Sequence, residues 1–291
     1  MRNYNILRTY CEKIFLIGSG NFWFENDTIG DDKSLFYRAY NTLLFFMYGL
    51  MTILEIMAAL MGEFPEDEKR DSVTFAVSHT IVMIKILSVV LNKSLIRRMN
   101  QKMISACERY ETPSLMADKF RIMKINVIAY FATVYGSCFF FVFEGLRKLF
   151  DDSHFVTIVT YYPAYEDDSV IATVFRVFTT GILFVMMLSM ILTVDSFTMV
   201  YLIMYKYKFI TLRIYFENLR ADIDNLNKLG KKILAVEKLT KGLVEGIVMH
   251  NEVLRLSKEI DAAFGTVIAL QVLQSSGSAV SLLLQIAVSI I

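Results

Sequence analysis

The chain has 291 residues, of which 55% are hydrophobic and 20% are charged, and its mean hydropathy is +0.47. A water-soluble domain of this length carries more charge and far fewer long apolar runs, so the composition excludes an ordinary soluble protein. The net charge of +1 gives no basic field for nucleic acid, and three cysteines without metal-ligand spacing argue against a disulfide framework.

The first two apolar runs each contain ionisable residues. Residues 43–62 are long enough to cross a hydrocarbon core of about 30 Å, and their one charged residue is Glu55. A central acid costs roughly 3 kcal/mol on insertion scales, but the surrounding apolar side chains outweigh that cost. The second run, residues 73–91, contains His79 and Lys85. We expect Glu55 to face other helices and Lys85 to reach toward the lipid headgroups.

Three further spans complete the predicted membrane part. Residues 125–143 contain no charge, and residues 177–194 are the centre of a fourth apolar helix that extends over 171–205. A helix of that length exceeds the thickness of a bilayer, so its excess must be buried in protein outside the lipid. Residues 262–291 are the fifth span. The predicted fold class is therefore all-α, a polytopic membrane protein with five transmembrane helices.

The connecting segments differ in charge. Segments 92–124 and 206–261 are rich in lysine and arginine, whereas segments 63–72 and 144–169 are acidic. The positive-inside rule places the N-terminal segment, residues 1–42, in the cytosol together with both basic segments. An N-terminus in the cytosol is opposite to the orientation of G-protein-coupled receptors, and that class is disfavoured.

Residues 206–261 predict a cytosolic layer of two amphipathic helices that separate near Gly230. The second helix continues without a proline break into the fifth span. We expect its apolar face to pack on a partner and its charged face to meet water. With the end of the fourth apolar helix, this layer would lie beneath the membrane, where subunits could meet. The apolar face comprises Val236, Leu239, Leu243, Ile247, His250 and Leu254.

Catalysis has no support in the sequence. Three histidines are scattered, no nucleophile lies near a base in a known motif, and no glycine-rich phosphate loop is present. We therefore expect no enzyme activity, no cofactor and no metal.

Several patterns, taken in order, resemble the insect odorant receptor family. Tyr162-Pro163 precedes an acidic cluster and a long fourth helix with Asp195-Ser196-Phe197 toward its end. His250-Asn251-Glu252-Val253-Leu254-Arg255 then leads into the fifth span, and Lys85 in the second span also fits. The set covers nearly the whole chain. It is completed by Phe264, Leu270-Gln271 and Ser275-Ser276.

The resemblance implies seven helices of inverted orientation that form an odorant-gated, nonselective cation channel. It also implies that members of the family assemble as tetramers with a shared odorant co-receptor, in the plasma membrane of sensory neuron dendrites. The last helix would line the pore. This chain ends in helix five, so two spans of roughly 20 residues each, including the pore helix, are expected to be missing, as in a partial gene model or a truncated product.

The resemblance also places the odorant among the outer halves of helices two, three, four and six. An odorant pocket should be mostly apolar and aromatic with a few polar groups. Each residue taken singly is more simply explained by helix packing or lipid contact. The predicted ligand-binding residues are Phe75, His79 and Met83 on the second helix, Tyr135, Cys138, Phe139 and Val142 on the third, and Phe178, Ile182 and Met186 on the fourth.

Two alternatives remain open at this point. A gustatory receptor of the same superfold would share the helical plan, but the patterns around Asp195 and His250 favour the odorant branch. A membrane transport component would bind its substrate at broken helices near the midplane. Helices three to five contain only isolated glycines and no proline, which disfavours a transporter.

Overall fold

The computed structural model describes residues 3–25, 29–150, 154–167, 169–186 and 190–290, without the side chains of 67, 278, 281, 282 and 284–290. Within these ranges the secondary structure is helical and contains no β-strand. The α-helices are α1 (Asn3–Leu16), α2 (Leu35–Met61), α3 (Glu66–Leu91), α4 (Lys93–Ser105), α5 (Pro113–Phe150), α6 (Val170–Met186), α7 (Leu192–Lys228) and α8 (Lys232–Ile290).

Helices α2, α3 and α5 are each long and apolar enough to cross a membrane, and α6 is apolar but shorter. Residues 187–189, within the predicted fourth span, lie outside the described residues. The same is true of most side chains at the end of the predicted fifth span. Helix α8 runs continuously for 59 residues, from the predicted cytosolic layer into that fifth span.

One hydrophobic core joins the membrane helices to α1, which packs against α7, and to α4, which packs against α8. Its centre is aromatic: the ring centroid of Tyr201 lies 4.9 Å from that of Phe197 and 5.0 Å from that of Phe264 on α8. All three side chains are fully buried. Burying a side chain of this size contributes about 1.5–3 kcal/mol. The end of the predicted fourth helix is thus buried in protein.

A buried ionic cluster also joins α1, α5 and α7. Glu111 precedes α5, and its carboxylate contacts Lys119 Nζ at 2.7 Å and Lys208 Nζ at 2.9 Å. Asn3 of α1 donates to the same carboxylate at 2.9 Å. Burial by itself would raise the pKa of Glu111, but the two ammonium groups outweigh it and hold the pKa below its ordinary value. Four segments of the chain are joined at this carboxylate.

Helices α7 and α8 form a close antiparallel pair that turns at Gly230, as the sequence predicts. Gly230 has a φ of 73°, a conformation that glycine adopts without the strain a Cβ would bring. Gly242 and Gly246 allow the close approach, because a Cβ at either position would overlap the Leu219 or Phe216 side chain of α7. The pair is therefore built around glycine contacts.

The face of α8 that packs within this chain is not the predicted one. Ala235, Gly242, Gly246, Met249 and Val253 are buried against α7 and its neighbours. The predicted apolar face is exposed, and His250 lies exposed with it. The periodicity favoured the larger apolar residues, whereas the close glycine contacts select the smaller ones. The exposed residues are Val236, Leu239, Leu243, Ile247 and Leu254.

Candidate functional site

A buried acid–histidine pair links the first two membrane helices. Glu55 of α2 and Nδ1 of His79 on α3 are 2.7 Å apart, and both side chains are almost fully buried. Tyr48 of α2 donates its hydroxyl to the backbone carbonyl of His79 at 3.0 Å. The expectation that Glu55 faces another helix is confirmed. This pairing satisfies two ionisable groups that would otherwise be costly in an apolar layer.

Aromatic side chains surround His79. The Phe75 ring stacks on the imidazole with centroids 5.8 Å apart, and the Phe141 ring of α5 meets Phe75 edge to face at 5.1 Å. Nδ1 of His79 is held by Glu55, so its other ring nitrogen is the one left for a further partner. Met83, one turn further along α3, packs half-buried against the same core. The three predicted residues of α3 thus lie along one packed face.

The predicted residues of α6 line a groove between α2 and α6. It has a volume of about 450 Å³ and almost entirely apolar walls. Met186 is buried, Ile182 is half-buried, and Phe178 is exposed at the rim. Ile182 and Met186 belong to the same core as Phe75 and Met83.

The predicted residues of α5 diverge. Cys138 is buried and Val142 is half-buried, whereas Phe139 is 68% exposed. The Tyr135 hydroxyl is buried, and no described residue forms a hydrogen bond with it. Of the predicted set on α5, Tyr135 is the side chain with hydrogen-bonding capacity to spare.

A second polar cluster joins four helices, and it corrects the interpretation of Lys85. This side chain does not extend to lipid headgroups: it is 1% exposed, and its Nζ lies 3.5 Å from the Asp195 carboxylate of α7. It also donates to Gln274 Oε1 at 2.9 Å and to Gln271 Oε1, both on α8. Tyr130 of α5 donates to Asp195 at 2.7 Å. Because these partners satisfy the Lys85 ammonium group inside the protein, its side chain does not need to reach water.

The sequence interpretation did not single out Tyr130, Gln271 or Gln274 as partners of Lys85. Their signal was present, because polar side chains in apolar spans usually face protein or a cavity. What the sequence could not supply was the relative rotation of α3, α5, α7 and α8. The groove between α2 and α6 has almost entirely apolar walls, and small-molecule sites are lined predominantly by apolar side chains.

The chain resembles one protein family and solved structures of the same fold. The family model described as 7tm odorant receptor matches residues 67–290. No curated protein matches the chain. Two solved structures share its fold. One is the insect olfactory receptor OR5 from Machilis hrabei, with a TM-score of 0.61, 12% identity, 94% of this chain covered and 70% of that one. The other is the same receptor in complex with eugenol, with a TM-score of 0.60, 12% identity, and coverage of 94% and 69%.

Proposed function

The chain belongs to the 7tm odorant receptor family, and on that premise we propose that it is a receptor subunit that binds small volatile molecules. The observation that carries the proposal is the family match, which extends over most of the chain. A family of receptors is not a family of enzymes, in agreement with the sequence analysis. The apolar helices and the family make the chain a multi-pass membrane protein.

We assign the ligand to the predicted residues of α3, α5 and α6. The core that contains Phe75, Met83, Ile182 and Met186 supports this assignment, as does the single polar ring of His79 among aromatic groups. Eugenol, the ligand of the similar Machilis hrabei structure, is a small aromatic molecule, which is the kind of ligand that these side chains suit. Apolar contacts would supply the affinity and His79 or Tyr135 the orientation.

Filling the groove between α2 and α6, which is lined by three of the proposed ligand residues, should weaken binding. Ile182→Trp places a large ring between α2 and α6, and we expect ligand affinity to fall at least about ten-fold, because even one methylene of lost fit in an apolar pocket costs about 1–3 kcal/mol. The measurement is retention of a chemically broad volatile panel by the protein in lipid nanodiscs, read by mass spectrometry. Ile171→Trp is the matched control, since Ile171 is on the same helix and 71% exposed. Equal retention by both variants, or none by the wild type, contradicts the assignment.

The further proposal is that the subunit assembles with an odorant co-receptor in a hetero-tetramer and gates a nonselective cation channel at the plasma membrane, with its N-terminus in the cytosol. Two features support it. The uneven distribution of basic residues favours that orientation. The exposed apolar face of α8 provides a surface for another subunit: Ile247 is 57% exposed and Val236 62%.

A charge on this face should disrupt assembly. Leu243→Glu combined with Ile247→Glu would place carboxylates in the contact, and we expect capture of the co-receptor from detergent extracts to fall at least about ten-fold. Both positions are exposed, so the fold should survive, as gel filtration of the variant would show. Lys241→Glu, at an exposed position off that face, is the control. Unchanged capture would exclude this face as the interface.

A further inference from the structure

A second cavity, separate from the proposed odorant residues, lies between α5, α7 and α8. Its volume is about 270 Å³, just below the roughly 300 Å³ at which small-molecule pockets begin. Val267 is fully buried at one wall, whereas Leu202 and Val272 are exposed at the mouth. The cavity therefore suits a small ligand that enters through its apolar rim. Its polar lining comprises Tyr130, Asp195, Thr198 and Gln271.

The polar end of this cavity has a defined hydrogen-bonding pattern. Thr198 donates its hydroxyl to the Val194 carbonyl, and Tyr130 donates its proton to Asp195. The carbonyl oxygen of Gln271 is taken by Lys85. Two capacities remain: the Asp195 carboxylate can accept further hydrogen bonds, and the Gln271 amide can donate. Among the described residues, none accepts a hydrogen bond from that amide.

These two capacities select the chemistry of the ligand. A hydroxyl group both donates and accepts, so it can bind Asp195 and Gln271 at once. An ether, ester or ketone has no proton to donate to the Asp195 carboxylate. A cationic amine would meet the positive charge of Lys85, which already neutralises Asp195, and a carboxylate would be repelled by Asp195. A neutral alcohol or phenol meets both requirements with a single functional group.

We propose that this cavity is a binding site for a small neutral alcohol or phenol, whose hydroxyl donates to Asp195 and accepts from Gln271. The site shares no residue with the ligand set proposed above, so it would be occupied independently of an odorant there. It lies against the Lys85 cluster that joins α3, α5, α7 and α8. A bound ligand would therefore contact a cluster of side chains that joins four helices.

Photolabelling tests the site at residue resolution. The probe is a phenol with a para trifluoromethyl diazirine, applied to the full chain in lipid nanodiscs, and its methyl ether is the matched compound without the proton. We expect the phenol to label residues around Leu202 on α7 or Val272 on α8 at least about ten-fold more than the ether does, since a hydrogen bond to a charged group is at stake. Unlabelled para-propylphenol should compete for this labelling.

Two variants test whether the photolabelling arises in this cavity, and neither of them changes the polar cluster. Leu202→Trp fills the cavity from an exposed position and should remove the phenol labelling. Phe209→Trp, at a position on α7 with the same 39% exposure, should leave it unchanged. Equal labelling by phenol and ether overturns the proposal, as does labelling confined to other helices or labelling that survives Leu202→Trp.

Discussion

Replacing Glu111 by alanine should destabilise the protein by about 3–5 kcal/mol, because it leaves two buried ammonium groups without a counter-charge. Lys119 and Lys208 are both 0% exposed, and the carboxylate lies within 2.9 Å of each. The measurement is the free energy of unfolding in mixed detergent micelles. Glu108→Ala provides the control, since Glu108 is exposed one turn before Glu111 and should change stability by less than about 0.5 kcal/mol.

Two further results would identify the buried charges as the cause. The triple variant with Lys119→Met and Lys208→Met should recover much of the loss, because well-packed apolar side chains often replace buried ions at little cost.

The second result concerns pH. The folded pKa of Glu111 lies below its unfolded value of about 4.3. The stability gap between the wild type and Glu111→Gln should be constant above that value and narrow as the pH falls through the folded pKa. A cost no larger than that of Glu108→Ala would refute the argument.

Lys85→Met should have an effect of similar size in the membrane part, about 3–5 kcal/mol. The substitution keeps most of the length of the side chain but leaves the Asp195 carboxylate with Tyr130 as its hydrogen-bond donor among the described residues. It also removes the donor to Gln271 and Gln274 on α8. We therefore expect a lower apparent Tm by fluorescence-detected gel filtration.

The second-site variant distinguishes an orphaned charge from lost packing. Lys85→Met combined with Asp195→Asn removes both charges while the asparagine oxygen can still accept from Tyr130, so part of the loss should be recovered. Lys124→Met, at an exposed position on α5, is the control for removal of a lysine. If the double variant is less stable than Lys85→Met alone, the orphaned-charge explanation fails.

The all-α fold class could be predicted from the sequence because apolar runs and charge distribution are local signals, whereas the helices α1 and α4 were not predicted. The inward position of Glu55 followed from the same reasoning, since a charge in an apolar run must find a partner. His79 as that partner did not follow, because the rotation of α2 against α3 is set by packing over their whole length. The residues of α5 show the same limit. Cys138 and Phe139 are adjacent in sequence, yet one is buried and the other exposed.

The interpretation of Lys85 failed for a related reason. Its position near the basic end of a span is compatible with snorkelling. An internal site is possible only because the fold places Asp195 and two glutamines, which are distant in sequence, beside it. The contacts of α8 show another limit. The hydrophobic pattern predicted that the face with Leu243 and Ile247 packs on a partner, whereas Gly242 and Gly246 determine which side of the helix approaches α7. A hydrophobic pattern does not predict where two helix backbones pack closely.

The length of α7 has a mechanical consequence. Its 37 residues form a rod of roughly 55 Å, with Asp195 near one end and the turn at Gly230 beyond the other. A tilt of about 5° at the Asp195 end would move the far end by ~5 Å at a rise of 1.5 Å per residue. The glycine contacts at Gly242 and Gly246 tie α8 to this rod, so both helices would swing together. A small adjustment at the Lys85 cluster would thus be amplified into a displacement comparable to a side-chain diameter at the distal tip of the pair.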